Sequence, residues 1–122
     1  MKGLELLETY PKAAEVITKF FVDQLINSLN DADLPEDFKE FAREQEIGNE
    51  RVGALIDNQP RGLFDVLDAN KVYIEITVIV GENTFFIYHV NGVVNNTPPY
   101  HNRRDAEMAA VETAFQILND KL

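Results

Sequence analysis

Two runs of alternating side chains, Val72 to Val80 and Thr84 to Val90, constrain the fold of this chain more than any other stretch. In the first, Val72, Ile74, Ile76, Val78 and Val80 fall on one side, and Tyr73, Glu75, Thr77 and Ile79 fall on the other. A period of two is the signature of a strand with one buried face. With Gly81-Glu82-Asn83 as a three-residue hairpin loop and Asn83 left-handed, Val78 faces Phe86, Ile76 faces Tyr88, Ile74 faces Val90 and Glu75 faces His89. A two-residue loop would shift the register by one and exchange the faces. Asn91-Gly92 is a second turn signal, so Val93, Val94 and Asn95 are expected to add a short third strand before Pro98-Pro99 ends it.

The hairpin leads into one strong helix, Arg103 to Leu122. Asn102 is placed to cap it, with Asp105 in its first turn. Met108, Val111, Phe115, Leu118 and Leu122 form an apolar stripe, and Ala106, Ala109, Ala110 and Ala114 beside it permit close approach to the sheet. A single helix can cover only one side of the sheet. Tyr73, Ile79, Phe85 and Ile87 on the other side therefore call for cover, from the N-terminal helix or from a second subunit.

Residues 1–69 read as helical, with proline opening three helices at Pro11, Pro35 and Pro60. A leader helix runs from Lys2 to Thr9. After Pro11, the set Ala13, Ala14, Ile17, Phe20, Phe21, Leu25, Ile26 and Leu29 makes a wide buried stripe. A loop follows with Asp33 placed to cap a short helix, Pro35 to Gln45, whose inward residues are Leu34, Phe38, Phe41 and Ala42. Gly48-Asn49 breaks it, Glu50 to Asp57 carries Val52, Leu55 and Ile56, and a last helix spans Pro60 to Leu67. No repeat or linker divides the 122 residues, so one α+β domain is expected: helical over 1–69, then a three-stranded antiparallel sheet and C-terminal helix over 70–122.

Charge narrows the function classes. With 21 acidic residues against 11 basic ones, the formal net charge is -10, and a field of that sign disfavours the phosphate contacts on which direct nucleic-acid binding rests. Cysteine is absent, which removes disulfides, thiolate metal sites and cysteine nucleophiles. With no leader pattern and no run of ~20 apolar residues, the expected setting is the cytoplasm, away from membranes.

Motifs for chemistry are sparse. His89 and His101 lie in no metal-ligand spacing, and Asp31, Asp33, Glu36 and Asp37 lack the glycine and glutamate that a calcium loop needs further on. The glycines follow no phosphate-cradling pattern, and Ser28, the sole serine, has no nucleophile elbow around it. No catalytic residue, metal or cofactor is assigned. Tyr100, His101, Arg103 and Arg104 are the candidate binding residues, because two arginines in a helix's first turn oppose its dipole and suit an anion or a carboxylate. The plainer reading pairs them with Asp105, Glu107 or other acids of the chain. A small hydrolase or isomerase using Glu75 with His89, or buried carboxylates, ranks last.

The order strand, strand, short strand, helix, with Arg103-Arg104-Asp105-Ala106-Glu107-Met108-Ala109-Ala110 opening the helix, resembles the C-terminal half of a double-stranded-RNA-binding domain over Lys71 to Leu122. The resemblance implies a nucleic-acid role, either as a binder of structured RNA or as an acidic mimic. Here Asp105 and Glu107 interrupt the basic cluster, and a larger helical region replaces the first helix of such domains. The stretches Tyr10-Pro11-Lys12-Ala13-Ala14-Glu15-Val16-Ile17, Leu34-Pro35-Glu36-Asp37-Phe38-Lys39, Pro60-Arg61-Gly62-Leu63-Phe64-Asp65 and Arg103-Arg104-Asp105-Ala106-Glu107 resemble small proteins of phages and mobile elements in Bacteroides-type bacteria. That likeness implies a cytoplasmic accessory protein. The expected function is a non-enzymatic interaction protein whose partner is another protein or a second copy, through Tyr73, Ile79, Phe85 and Ile87 or through the long N-terminal helix.

Overall fold

The computed structural model describes residues 2–44, 48–94 and 99–122, with the side chains of 41–44, 93 and 94 left aside. Helices come first: α1 (Gly3–Thr9), α2 (Pro11–Asp31), α3 (Glu36–Glu44) and α4 (Asn49–Asn58), then a 3₁₀ turn (Pro60–Leu63) and α5 (Phe64–Ala69). Strands β1 (Ile74–Ile79) and β2 (Phe85–Val90) form an antiparallel pair, and α6 (Arg103–Lys121) packs against it. The expected α+β order holds.

The proline readings hold in part. Pro11 is the first residue of α2, but Pro35 precedes α3 and offers its carbonyl to Phe38 and Lys39, so Pro35, not Asp33, takes the capping position. Pro60 opens a 3₁₀ turn in place of the expected α-helix, and α5 starts only at Phe64.

Helix α6 is the hub. Its Ala106, Ala110, Val111, Ala114, Phe115 and Leu118 are buried, as the sequence pattern predicts, while Leu122 lies past the last turn and stays in solvent. The alanines let α6 sit close to the sheet on one side and to α2 on the other. Its ends are pinned as well. Asn119 Oδ1 accepts the backbone N–H groups of Lys12 (2.9 Å) and Ala13 (3.2 Å), supplying the cap that Tyr10 does not give α2. Lys121 Nζ donates to the carbonyl of Asn70 at 2.9 Å.

At the opposite pole α1 crosses α4 at Gly3 and Gly53, where the backbones touch: a Cβ on Gly53 would lie 2.7 Å from the nitrogen of Leu4. The Gly3 N–H donates to Asp57 Oδ1 at 2.7 Å, which satisfies one free donor at the start of α1. Beyond Ile17 the apolar stripe of α2 is only half-buried, and Leu34 and Phe38 (53% exposed) lie in solvent, not inward. The reason is topological: past the core the distal part of α2 has α3 as its neighbour, too short and polar to cover it. The inward positions expected of Phe41 and Ala42 lie outside the described side chains.

In the sheet the expected register is observed throughout, with Val78 opposite Phe86, Ile76 opposite Tyr88, Glu75 opposite His89 and Ile74 opposite Val90. Asn83 is not left-handed; among the described non-glycine residues only Lys71 and Asn91 have positive φ. The link between the paired residues Ile79 and Phe85 reverses the chain without it. Asn91 (φ 54°) and Gly92 (φ 78°) form the second turn, after which Val93 pairs with Val90 and Val94 with His89. That pairing is two residues long; Asn95 and Pro98 lie outside the described residues. Lys71 (φ 61°) ends α5 in a Schellman motif: its own N–H bonds to Asp68 O and that of Val72 to Leu67 O.

Burial along β1 departs from the pattern. Val72 is fully buried and Ile74 and Ile76 half-buried, but Val78 and Val80 are exposed, because α6 lies more over β2 than over β1 and the hairpin tip runs clear of it.

Candidate functional site

The residues singled out at the start of α6 come together, and each already has intramolecular work. Tyr100 exchanges both backbone hydrogen bonds with Phe86, N–H to carbonyl at 2.9 and 2.8 Å, and turns its ring toward Tyr88, 6.2 Å away between centroids. The His101 ring lies 5.4 Å from that of Phe85 on the other side of the strand. Arg103 places its guanidinium 5.4 Å over the Phe86 ring, a cation–π contact. Arg104 donates through Nη2 to the carbonyl of Asp57, in the last turn of α4, where a cation also suits the helix dipole. Together they clamp the hairpin to α6 and α6 to α4.

Local sequence explains the clamp. Asn102 caps the helix, accepting the Asp105 N–H on Oδ1, and its Nδ2 donates to Asp105 Oδ2, both at 2.8 Å. The cap, held in place by that side-chain bond, fixes where the helix starts and so aims Arg103 and Arg104.

Beside the clamp lies an open cleft of about 610 Å³ between the 58–62 turn and the residues Arg103, Arg104 and Glu107. Glu107 is nearly buried at its wall and accepts from Arg61 through Nη2 (2.6 Å) and Nε (3.2 Å). Glu107 is thus the acid the sequence offers to the basic cluster, but it takes Arg61 as its partner, a residue 46 positions away with no local signal. Each guanidinium facing the cleft has a contact within the chain, which accounts for a basic cluster in an acidic protein without an external anion.

The outer side of the sheet is different. Tyr73 (55% exposed) and Ile79 (45%) lie open, while Phe85, partly shaded by His101, and Ile87 are half-buried. Helix α2, one of the two covers the sequence allows, packs against α1, α3, α4 and α6 instead. Glu75 and half-buried His89 face one another on this open side. Among the described residues no group of three His, Asp or Glu converges as metal ligands would, and no helix is long and apolar enough to cross a membrane.

Exposed apolar side chains concentrate along β1, on both faces of the sheet. Of the eight large hydrophobic residues exposed among those described, four are Tyr73, Val78, Ile79 and Val80, all on β1 or its flanks. Solvated singletons are ordinary; a run along one strand is not. Comparison with protein-family models, with curated proteins and with solved structures yields no match.

Proposed function

We propose that this chain is a non-catalytic interaction protein that works by presenting the β1 side of its sheet to another protein surface. The observation that supports it most is the run Tyr73, Val78, Ile79 and Val80, left in water by a fold whose remaining apolar residues are largely packed around α6. Burying such a patch is worth ~25 cal/mol per Å² of apolar surface, which is the driving force for association. The occupied guanidinium groups of Arg61, Arg103 and Arg104 favour this reading over phosphate binding. An accessory role in a phage or mobile element, as the sequence likeness implies, suits a protein that acts through contact alone.

The test compares wild type with Ile79→Lys, a change at an exposed position that leaves the core untouched. Light scattering across a wide concentration range and affinity capture from the native host should show association for wild type and its loss for the variant. A strictly monomeric wild type that captures nothing, or capture that Ile79→Lys leaves intact, would refute the proposal.

A further inference from the structure

Beyond Val72, whose N–H bonds to Leu67 O, the edge of β1 is unguarded among the described residues. Because Phe86 spends both its backbone groups on Tyr100, it points away from β1, and its partner Val78 must point away from β2 in turn. By the same alternation Ile74, Ile76 and Val78 direct their N–H and C=O groups to the free edge, while Tyr73 faces inward and accepts from the Asn91 N–H at 2.8 Å. Among the described residues nothing bonds to those edge groups. Natural edge strands are blunted with lysine, proline or a bulge, and β1, Ile-Glu-Ile-Thr-Val-Ile, has none of these.

Resting on the interaction reading above, we infer that this edge is the seat of a second copy of the same chain, whose β1 adds antiparallel to it about a twofold axis through Ile76. Only that register pairs all the edge-facing residues of β1 with one another, Ile76 with Ile76 and Ile74 with Val78 of the second copy. Side chains agree with it. On the outer side Tyr73 falls opposite Ile79, two exposed apolar groups covering each other, and Glu75 falls opposite Thr77, so the single charge of the strand avoids its own copy. Shifting the axis to residue 75 would set Glu75 against Glu75. The pairing stops short of Val72, which is buried and whose N–H is held by Leu67 O at the end of α5.

A twofold axis normal to the sheet keeps both α6 helices on one face. With each helix chiefly over its β2, the two stand roughly three strand spacings apart, about 14 Å, and the half-buried Ile74 and Ile76 of both copies fill the groove between them. The footprint is at the small end for specific complexes, so the dimer is expected to dissociate in the micromolar range, on the order of 10 μM.

The native chain has no cysteine, so single introduced cysteines report the geometry. Directly opposite residues of this kind have Cα atoms about 5.5 Å apart, within disulfide range. Ile76→Cys should cross-link under mild oxidation at concentrations where light scattering shows dimer, whereas Ile79→Cys, roughly 20 Å from its own copy, should not. Tyr73→Lys and Ile79→Glu should each weaken the dimer on the order of tenfold, and the double variant, which sets the introduced lysine of one copy against the introduced glutamate of the other, should recover most of the loss. These positions are exposed, so the variants fold. A monomeric mass up to about 1 mM, or a dimer in which Ile76→Cys cross-links no faster than Ile79→Cys, overturns the inference. In either event, capture of another partner by wild type but not by Ile79→Lys leaves the interaction reading standing.

Discussion

Replacing Gly53 with alanine sets two effects of known sign against each other, and the geometry decides the winner. Inside a helix, Gly→Ala gains about 1 kcal/mol from reduced backbone entropy in the unfolded chain. Here the new Cβ would lie 2.7 Å from Leu4 N and 3.0 Å from Leu4 Cα, where carbon contacts prefer ~3.5–4.0 Å. Backbone cannot rotate aside, so α1 must retreat by about 0.5–1 Å, stretching the Gly3 bond to Asp57 and loosening buried Leu6 and Leu7. Overpacking against such a neighbour costs about 3 kcal/mol, the upper part of its usual range, which leaves a net loss of about 2 kcal/mol. For 122 residues an unfolding entropy of ~2.1 cal/mol/K per residue converts this to a fall in Tm of about 8 °C. Circular dichroism melts and urea titrations measure both numbers. Gly62→Ala, whose Cβ would meet nothing closer than 4.0 Å, is the control and should stay within about 0.5 kcal/mol. A stabilised Gly53→Ala protein would refute the close crossing of α1 and α4.

Four further outcomes are expected. Lys71→Gly should stabilise by about 0.5–1 kcal/mol in urea titration, since it relieves a left-handed residue in the Schellman turn and gives back part of that in entropy. Asn119→Ala should cost about 1–2 kcal/mol in the same assay, as it uncaps the start of α2 from the far end of the chain. Arg61→Ala should cost about 2 kcal/mol by stranding nearly buried Glu107, and Arg61→Ala with Glu107→Met should cost less than Arg61→Ala alone. Duplex RNA should show no salt-sensitive mobility shift with this chain; a shift abolished by Arg103→Ala and Arg104→Ala would reverse the reading of the clamp.

Local chemistry is what the sequence made legible. Alternation in 72–90 and the turn residues Gly81 to Asn83 set the strand register, and Asn102 with Asp105 marked the start of α6, because each signal acts over a few residues. The stripe of α2 read too deep, since periodicity reports which face is apolar but not how far along the helix a neighbour extends. At the candidate site the residue types were visible and their partners were not. Tyr100 on Phe86, Arg104 on Asp57 and Arg61 on Glu107 are meetings across 14, 47 and 46 positions, and nothing near each residue encodes them. The bare edge of β1 was hidden too. Its apolar residues were evident, but which strand would be last in the sheet depends on the course of the chain after Gly92.

That the hub of this fold is its last helix gives the protein a timetable. Ile17, Ile56 and Leu67 share one core with residues between Ala110 and Leu118, and the contact of Lys12 with Asn119 spans 107 positions. At synthesis rates of about 5–20 residues per second, the N-terminal helices wait roughly 5–20 s for their partner to appear. Short helices are marginal in water, and through that interval α1, α2 and α4 have only one another to pack against while the face of α2 that meets α6 stays open. The core closes only when α6 arrives.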